Sequence, residues 1–262
     1  MKAIILCGGM GTRLREHTET RPKPMVEIGG YPILWHIMKL YAHHGIKEFI
    51  LCLGYKSHVI KEYFLNYEAL SSDFTIELGK SHQIMYHRAT QIEENWKVTL
   101  VETGESANTG ARVKRASKYL DATDKDFAVT YGDGVSDVDL TKALAFHRSH
   151  DGLATLTGVR PPSRFGEIDV NGKTVVSFSE KPQVGQGLIN GGFLFFKREF
   201  LSLLSDDPQC SLERGPMERC AEQRQLYLYE HSGYWQCMDT YRDWDSLERQ
   251  WQSGTAPWKV WK

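Results

Sequence analysis

A chain of 262 residues, 41% hydrophobic and 25% charged, can bury a sizeable core in one large domain or two small ones, and this composition excludes disorder and fibrous repeats. Its 32 Lys and Arg residues against 33 Asp and Glu leave a formal net charge of −1, so the overall balance points neither to nucleic acid nor to a membrane surface. No apolar run approaches the roughly 18 residues that span a bilayer. The opening apolar run stops at Gly8-Gly9, too short for a signal peptide. Five scattered cysteines (Cys7, Cys52, Cys210, Cys220, Cys237) without CxxC spacing argue for reduced thiols in a cytoplasm.

No repeat, low-complexity tract or linker divides the chain, which reads as one domain over residues 1–262 with elaborations. Residues 3–7 form a short apolar run ending in glycines, the pattern of a buried strand feeding a loop. Pro32 can open a helix in which Ile33, Leu34, Ile37, Met38 and Tyr41 recur at helical spacing until Gly45. Residues 48–53 read as a second buried strand, and Val59, Ile60, Tyr63, Phe64 and Tyr67 as one face of a second helix. Strand, helix, strand, helix at this spacing implies a parallel sheet covered on both faces. The middle is richer in strands, with candidates at 74–78 and 98–101, then a helix over 111–120 and a strand at 127–131 that ends at Gly132-Asp133-Gly134. Asp139 reads as the N-cap of a helix running to His150. Asn171-Gly172 between 168–170 and 174–176 is a hairpin signal. Thr240 with Asp243 resembles a capping box, after which Trp244, Leu247 and Trp251 form the buried stripe of a last helix. The fold class expected is α/β, a mixed, mainly parallel sheet flanked by helices, with a smaller strand-rich elaboration.

The most informative stretch is Leu6-Cys7-Gly8-Gly9-Met10-Gly11-Thr12-Arg13-Leu14. Its glycines remove side chains where a backbone must bend and approach a ligand, and successive N–H groups in such a loop can hold phosphate oxygens or a base edge. Arg13 adds a fork suited to phosphate. A dinucleotide fingerprint needs a glycine where Leu14 stands, which disfavours a nicotinamide dehydrogenase, and a Walker A loop needs Gly-Lys-Ser/Thr after four spacers; both patterns fail. A tight turn with a solvated arginine stays open as the plain structural alternative. In Arg21-Pro22-Lys23-Pro24-Met25 the two prolines deny the segment a helical conformation, so Lys23 is expected on a stiff extended loop, where an ammonium can be fixed beside a polyphosphate.

Together, Gly8-Gly9-Met10-Gly11-Thr12-Arg13-Leu14 and Pro22-Lys23-Pro24-Met25 resemble the signature of the sugar-nucleotide pyrophosphorylases, a nucleotidyltransferase family. Val26-Glu27-Ile28-Gly29-Gly30, Pro32-Ile33-Leu34-Trp35-His36 and, later, Thr130-Tyr131-Gly132-Asp133-Gly134, Ile189-Asn190-Gly191-Gly192-Phe193 and Met238-Asp239-Thr240 are similar to the branch that makes CDP-glucose from CTP and glucose 1-phosphate. Little of residues 70–94 is matched. The resemblance implies a Rossmann-like nucleotidyltransferase fold, Mg²⁺, small-molecule substrates and a homo-oligomer, with no nucleic acid or membrane partner. The same reaction with another base or sugar (a thymidylyl- or uridylyltransferase) is the nearest alternative, and a non-catalytic nucleotide-sugar-binding regulatory module a more distant one.

Residue by residue, the resemblance implies nucleotide contacts at Leu6, Cys7, Gly8, Gly9, Met10, Gly11, Thr12, Arg13, Lys23, Ala107, Arg112 and Gly132, with Arg13 and Lys23 catalytic. It implies sugar-phosphate contacts at Gly166, Glu180, Lys181 and Asn190, and metal ligands at Asp133 and Asp239. From the residues alone Asp133 reads equally as a turn aspartate and Asp239 as a capping residue. Arg112 reads either as a solvated arginine on a basic helix or as a donor pair for the O2 and N3 acceptors that distinguish cytosine from uracil and thymine. Cys7, Ala111 and Cys237 depart from the family's usual alanine, glycine and proline near the nucleotide.

Overall fold

The computed structural model describes residues 1–9, 11, 14, 18–79, 83–87, 93, 95–161, 167–171, 173–179 and 187–261, with backbone alone for 167–171 and 177–179. Seven strands make the central sheet, in the order Leu226–His231, Ala154–Val159, Ile189–Lys197, Asp126–Tyr131, Ala3–Leu6, Glu48–Leu53 and Lys97–Glu102. The last four run parallel, and only Ile189–Lys197 is antiparallel to its two neighbours. The sheet is therefore mixed and mainly parallel, as expected.

Side chains alternate across the first strand, so the two faces feed two cores. Ala3 and Ile5 join Ile33, Ile37, Met38 and Tyr41 of the Ile33–His43 helix; Ile4 and Leu6 join Val113 and Ala116 of the Thr109–Ala116 helix, with Phe127 and Phe196. Register then decides where ligands can bind. Leu6 lies opposite Cys52 on one side and Tyr131 on the other, so the glycine loop and Gly132-Asp133 emerge side by side at the carboxyl edge of the sheet. The Gly132 N–H donates to the Leu6 carbonyl at 3.0 Å and welds the two exits together.

The Asp139 cap is present, accepting from the Lys142 N–H at 2.9 Å, although the helix ends at Arg148. The Thr240–Asp243 capping box opens the Tyr241–Gln252 helix, and Leu247 is its buried residue. The 168–176 hairpin is present as Glu167–Asn171 paired with Thr174–Ser179. Three expectations change. Of the stripe Trp244, Leu247 and Trp251, only Leu247 is fully buried, and the two tryptophans are half-buried against the core. The face through Tyr67 breaks at Asn66, splitting a Ser57–Leu65 helix from a short Tyr67–Ser71 one, and only Ile60 of that face is fully buried. Lys23–Met25 is one turn of 3₁₀ helix and not extended: Pro24 falls in the first turn, where its fixed φ suits the helix and its missing N–H costs nothing. No helix among the described residues is long and apolar enough to cross a membrane, and all five cysteines are free thiols.

Candidate active site

A cavity of ≈ 720 Å³ opens at the carboxyl edge of the sheet. Gly8 and Gly9 form its floor beside Ala107 and Arg112. The Arg112 guanidinium packs so closely that a Cβ on Gly8 would fall 2.0 Å from its Nη1, which is why a glycine stands there. Arg112 is 5% exposed, and both terminal nitrogens are committed to the protein. Nη1 donates to the Leu53 carbonyl at 3.0 Å and to Thr103 Oγ1 at 2.9 Å; Nη2 donates to the Gly8 carbonyl at 3.1 Å and to the Glu105 carbonyl at 3.0 Å. Burial pulls its pKa down, and carbonyl dipoles take the place of a carboxylate partner. The solvated reading of Arg112 does not survive this geometry, and its four terminal N–H bonds already have protein acceptors. It is a strut joining the glycine loop to the 103–107 segment.

The opposite wall carries charge. Lys23 is buried, and its Nζ lies 2.7 Å from Asp133 Oδ2 and 2.5 Å from Asp239 Oδ1. Burial alone would lower the lysine pKa, but the two carboxylates outweigh it and the pKa is raised, so the ammonium stays charged. Two backbone ties bring acids so distant in sequence together. Trp235–Cys237 pairs antiparallel with Gly134–Ser136, setting Cys237 opposite Gly134, and the Met238 N–H donates to the Asp133 carbonyl at 2.8 Å. Beyond them Asp243 accepts from the N–H groups of Asp239 and Thr240, which fixes the corner that presents Asp239. Gly132 is equally constrained, since a Cβ there would sit 2.9 Å from the Leu6 carbonyl and from Pro24.

The two carboxylates are hard oxygen donors suited to a divalent cation. Among the described residues no third acidic, His or Cys side chain joins them as a ligand group, so phosphate oxygens and water would have to complete the shell. Burial pushes the Cys237 thiol up to about 12, with Asp239 and Asp133 adding to the effect, and raises the fully buried Cys7 well above the usual thiol range. Neither is a reactive thiolate.

A third wall holds Glu213, which accepts from Thr109 Oγ1 at 2.6 Å, Ser211 Oγ at 2.8 Å and Tyr131 Oη at 2.5 Å. Burial would raise its pKa, but these three hydroxyls reverse the effect and hold the carboxyl below its ordinary value. Asn190 lies in an adjoining cavity of ≈ 200 Å³ that shares Tyr131, Asp133 and Asp239 with the larger one.

The family model described as nucleotidyl transferase matches residues 2–243. The chain belongs to the nucleotidyl transferase family. It is 49% identical to glucose-1-phosphate cytidylyltransferase of Salmonella typhimurium over 262 residues, which is 100% of both chains. It is 31% identical to mannose-1-phosphate guanyltransferase of Kluyveromyces lactis over 90% of this chain and 60% of that one. The solved UDP-glucose pyrophosphorylase of Acinetobacter baumannii superposes with a TM-score of 0.68 at 19% identity, covering 95% of this chain and 92% of that one, a likeness of fold.

Within this nucleotidyltransferase framework, Leu6, Gly8, Gly9, Gly11, Lys23, Ala107, Arg112, Gly132, Asp133 and Asp239 line the larger cavity together, and Cys7 lies buried beneath its floor. Asn190 lines the smaller one. Met10, Thr12, Arg13, Gly166, Glu180 and Lys181 lie outside the described residues. Thr109, Tyr131, Ser211, Glu213 and Arg214 also line the larger cavity but were not expected there. For Tyr131 a signal existed, since it is the last residue of a predicted strand directly before Gly132-Asp133. For Glu213 there was none: the segment around it carries no periodicity, and its hydroxyl partners Thr109 and Tyr131 come from distant elements.

Proposed function

We propose that the chain transfers the CMP moiety of CTP to α-D-glucose 1-phosphate, giving CDP-glucose and pyrophosphate. The observation that carries this reading is the convergence of Lys23, Asp133 and Asp239 on one cavity beside the glycine loop. The full-length identity of 49% to a glucose-1-phosphate cytidylyltransferase supports the choice of base and sugar. A phosphate oxygen of the sugar phosphate attacks the α-phosphorus of the triphosphate. The bond from that phosphorus to the bridging oxygen breaks, and pyrophosphate leaves with the electron pair. The attacking phosphate is already ionised near neutral pH, so the protein supplies position and charge compensation and no nucleophile of its own.

Lys23 sets a charged ammonium at the cavity wall, where it can meet the triphosphate and the departing pyrophosphate. The Gly8–Gly9 backbone admits phosphate closely, and Arg112 keeps that loop from shifting by holding the Gly8 carbonyl. Asp133 and Asp239 would hold Mg²⁺, which when bound neutralises developing charge on the phosphoryl oxygens. Asn190 addresses the sugar; Arg13 and Lys181 are assigned the triphosphate and the sugar phosphate on the sequence resemblance, as are Glu180 and Gly166 the sugar pocket. We read the enzyme as cytoplasmic and homo-oligomeric. The exposed Phe74, Ile76, Ile84 and Met85 of the paired strands Asp73–Ile76 and Ile84–His87 support a subunit contact there, to be tested by sedimentation.

The deciding experiment measures pyrophosphate release over a grid of triphosphates and sugar 1-phosphates, with Mg²⁺ and with a chelator. Turnover with CTP and glucose 1-phosphate, abolished by the chelator, is expected. Turnover with UTP or dTTP but not CTP overturns the base assignment, and release that survives the chelator overturns the role of the two aspartates.

A further inference from the structure

We propose that Glu213 and Tyr131 are positioning residues that fix the hydrogen-bonding polarity of Asn190, so that Asn190 offers an N–H donor, and not a carbonyl, to a hydroxyl oxygen of the sugar phosphate. The inference deepens the reading above and rests on glucose 1-phosphate being the sugar substrate. It starts from the direction of each bond. Glu213 is an ionised carboxylate and can only accept, so the single Tyr131 proton is committed to it over 2.5 Å. With that proton spent, Tyr131 Oη can only accept, and its partner is Asn190 Nδ2 at 3.3 Å. The Gly192 N–H completes the polarity that Tyr131 sets, donating to Asn190 Oδ1 at 2.9 Å. The amide therefore cannot turn over without losing both bonds. Its carbonyl oxygen has the Gly192 backbone as partner, and one Nδ2 hydrogen remains beyond the one given to Tyr131. That hydrogen belongs to a side chain lining the cavity next to Asp133 and Asp239, where the attacking sugar phosphate must lie.

The chain of donors runs Asn190 to Tyr131 to Glu213, and its last member is locked by two more hydroxyls, Thr109 and Ser211, which keep the carboxyl ionised. Such a relay has a fixed direction because Glu213 has no proton to give and Tyr131 has only the one it spends on Glu213. Neither Tyr131 nor Glu213 has to touch the sugar for the sugar to be read.

The test uses the full-length enzyme with Tyr131→Phe, which keeps the ring and removes the hydroxyl. The KM for glucose 1-phosphate rises about tenfold, the loss of roughly one hydrogen bond, while the KM for CTP and kcat change by less than about threefold. Glucose 1-phosphates with each hydroxyl in turn replaced by fluorine or by hydrogen supply a readout that a merely structural role would not move. At one position the wild type tolerates fluorine, which still accepts, better than hydrogen, and Tyr131→Phe erases the difference. Asn190→Asp, isosteric but without donors, erases it too and keeps the test open if the tyrosine variant fails to fold. An unchanged sugar KM, an equal rise in both KM values, or a fluorine preference that persists in the variants overturns the proposal. A wild-type enzyme that releases no pyrophosphate from CTP and glucose 1-phosphate overturns the underlying reading instead.

Discussion

Two buried cations face the same cavity and are balanced in opposite ways. Lys23 lies between the carboxylates of Asp133 and Asp239, hard oxygen donors of a kind that can also hold a divalent cation. Arg112 is held by three backbone carbonyls and a threonine hydroxyl, with no carboxylate among its hydrogen-bond partners. On the proposed function the first arrangement is exchangeable: a triphosphate would draw the ammonium over while a divalent ion takes the acids. The second is fixed, because moving the guanidinium would break four hydrogen bonds at once and leave the Gly8 carbonyl without its arginine donor. A charge at a cavity wall is thus a ligand-binding group or a strut according to what neutralises it.

The largest test of this contrast is removal of the exchangeable charge. Lys23→Met is expected to lower kcat/KM for pyrophosphate release by about 10³-fold, comparable with loss of a strong electrostatic donor. Its melting temperature should stay near or above the wild type with Mg²⁺ present, and a modest rate loss would show that the lysine is only a structural partner of the acids. Asp133→Asn and Asp239→Asn are expected next, each costing about 10²-fold in kcat/KM and raising the Mg²⁺ concentration needed for half-maximal rate. If only one of them shifts the Mg²⁺ dependence, the pair does not act as one site.

The strut predicts a different signature. Arg112→Lys keeps the charge but cannot reach four acceptors, so it should destabilise the fold by about 2 kcal/mol in urea unfolding. The preference for CTP over UTP in the folded fraction should be unchanged; a large shift in that preference would return Arg112 to the role of base reader.

A last expected effect leaves catalysis untouched and lies away from the cavity, where His36 is neutral, donating through Nε2 to the Ile28 carbonyl at 2.9 Å and accepting from Trp258 Nε1 at 3.3 Å. Burial lowers its pKa to about 4, and that of buried His147 likewise to about 4. Because the folded values lie below the unfolded one, the unfolded chain takes up these protons first. Stability is therefore fully present above about pH 6.5 and is lost as pH falls toward 4, by up to about 1.4 kcal/mol per pH unit for each group. Unfolding midpoints measured across that window should fall less steeply in His36→Gln than in the wild type. Equal slopes would assign the acid sensitivity elsewhere.

What could be read from the sequence followed the range of the interactions involved. The glycine loop and the Pro-Lys-Pro element are local patterns whose chemistry is nearly complete within a few residues. The Asp139 cap and the Thr240–Asp243 box were readable for the same reason. Asp133 and Asp239 were ambiguous as sequence, because the pairing of Trp235–Cys237 with Gly134–Ser136 that unites them has no local signature. The 3₁₀ turn at Lys23–Met25 was misread because two prolines suggest extension, whereas one of them fits the first turn of a helix. For Arg112 a sequence shows donors but not the carbonyls that hold them, and Glu213 is illegible because its meaning lies largely in partners from other elements.

The tie between the Met238 N–H and the Asp133 carbonyl has a consequence for biosynthesis. An emerging polypeptide can complete its glycine loop and most of its parallel strands early, yet it has half of the acidic pair until translation passes Asp239. Prematurely released fragments would then carry the glycine loop without the second of the two acids that face it.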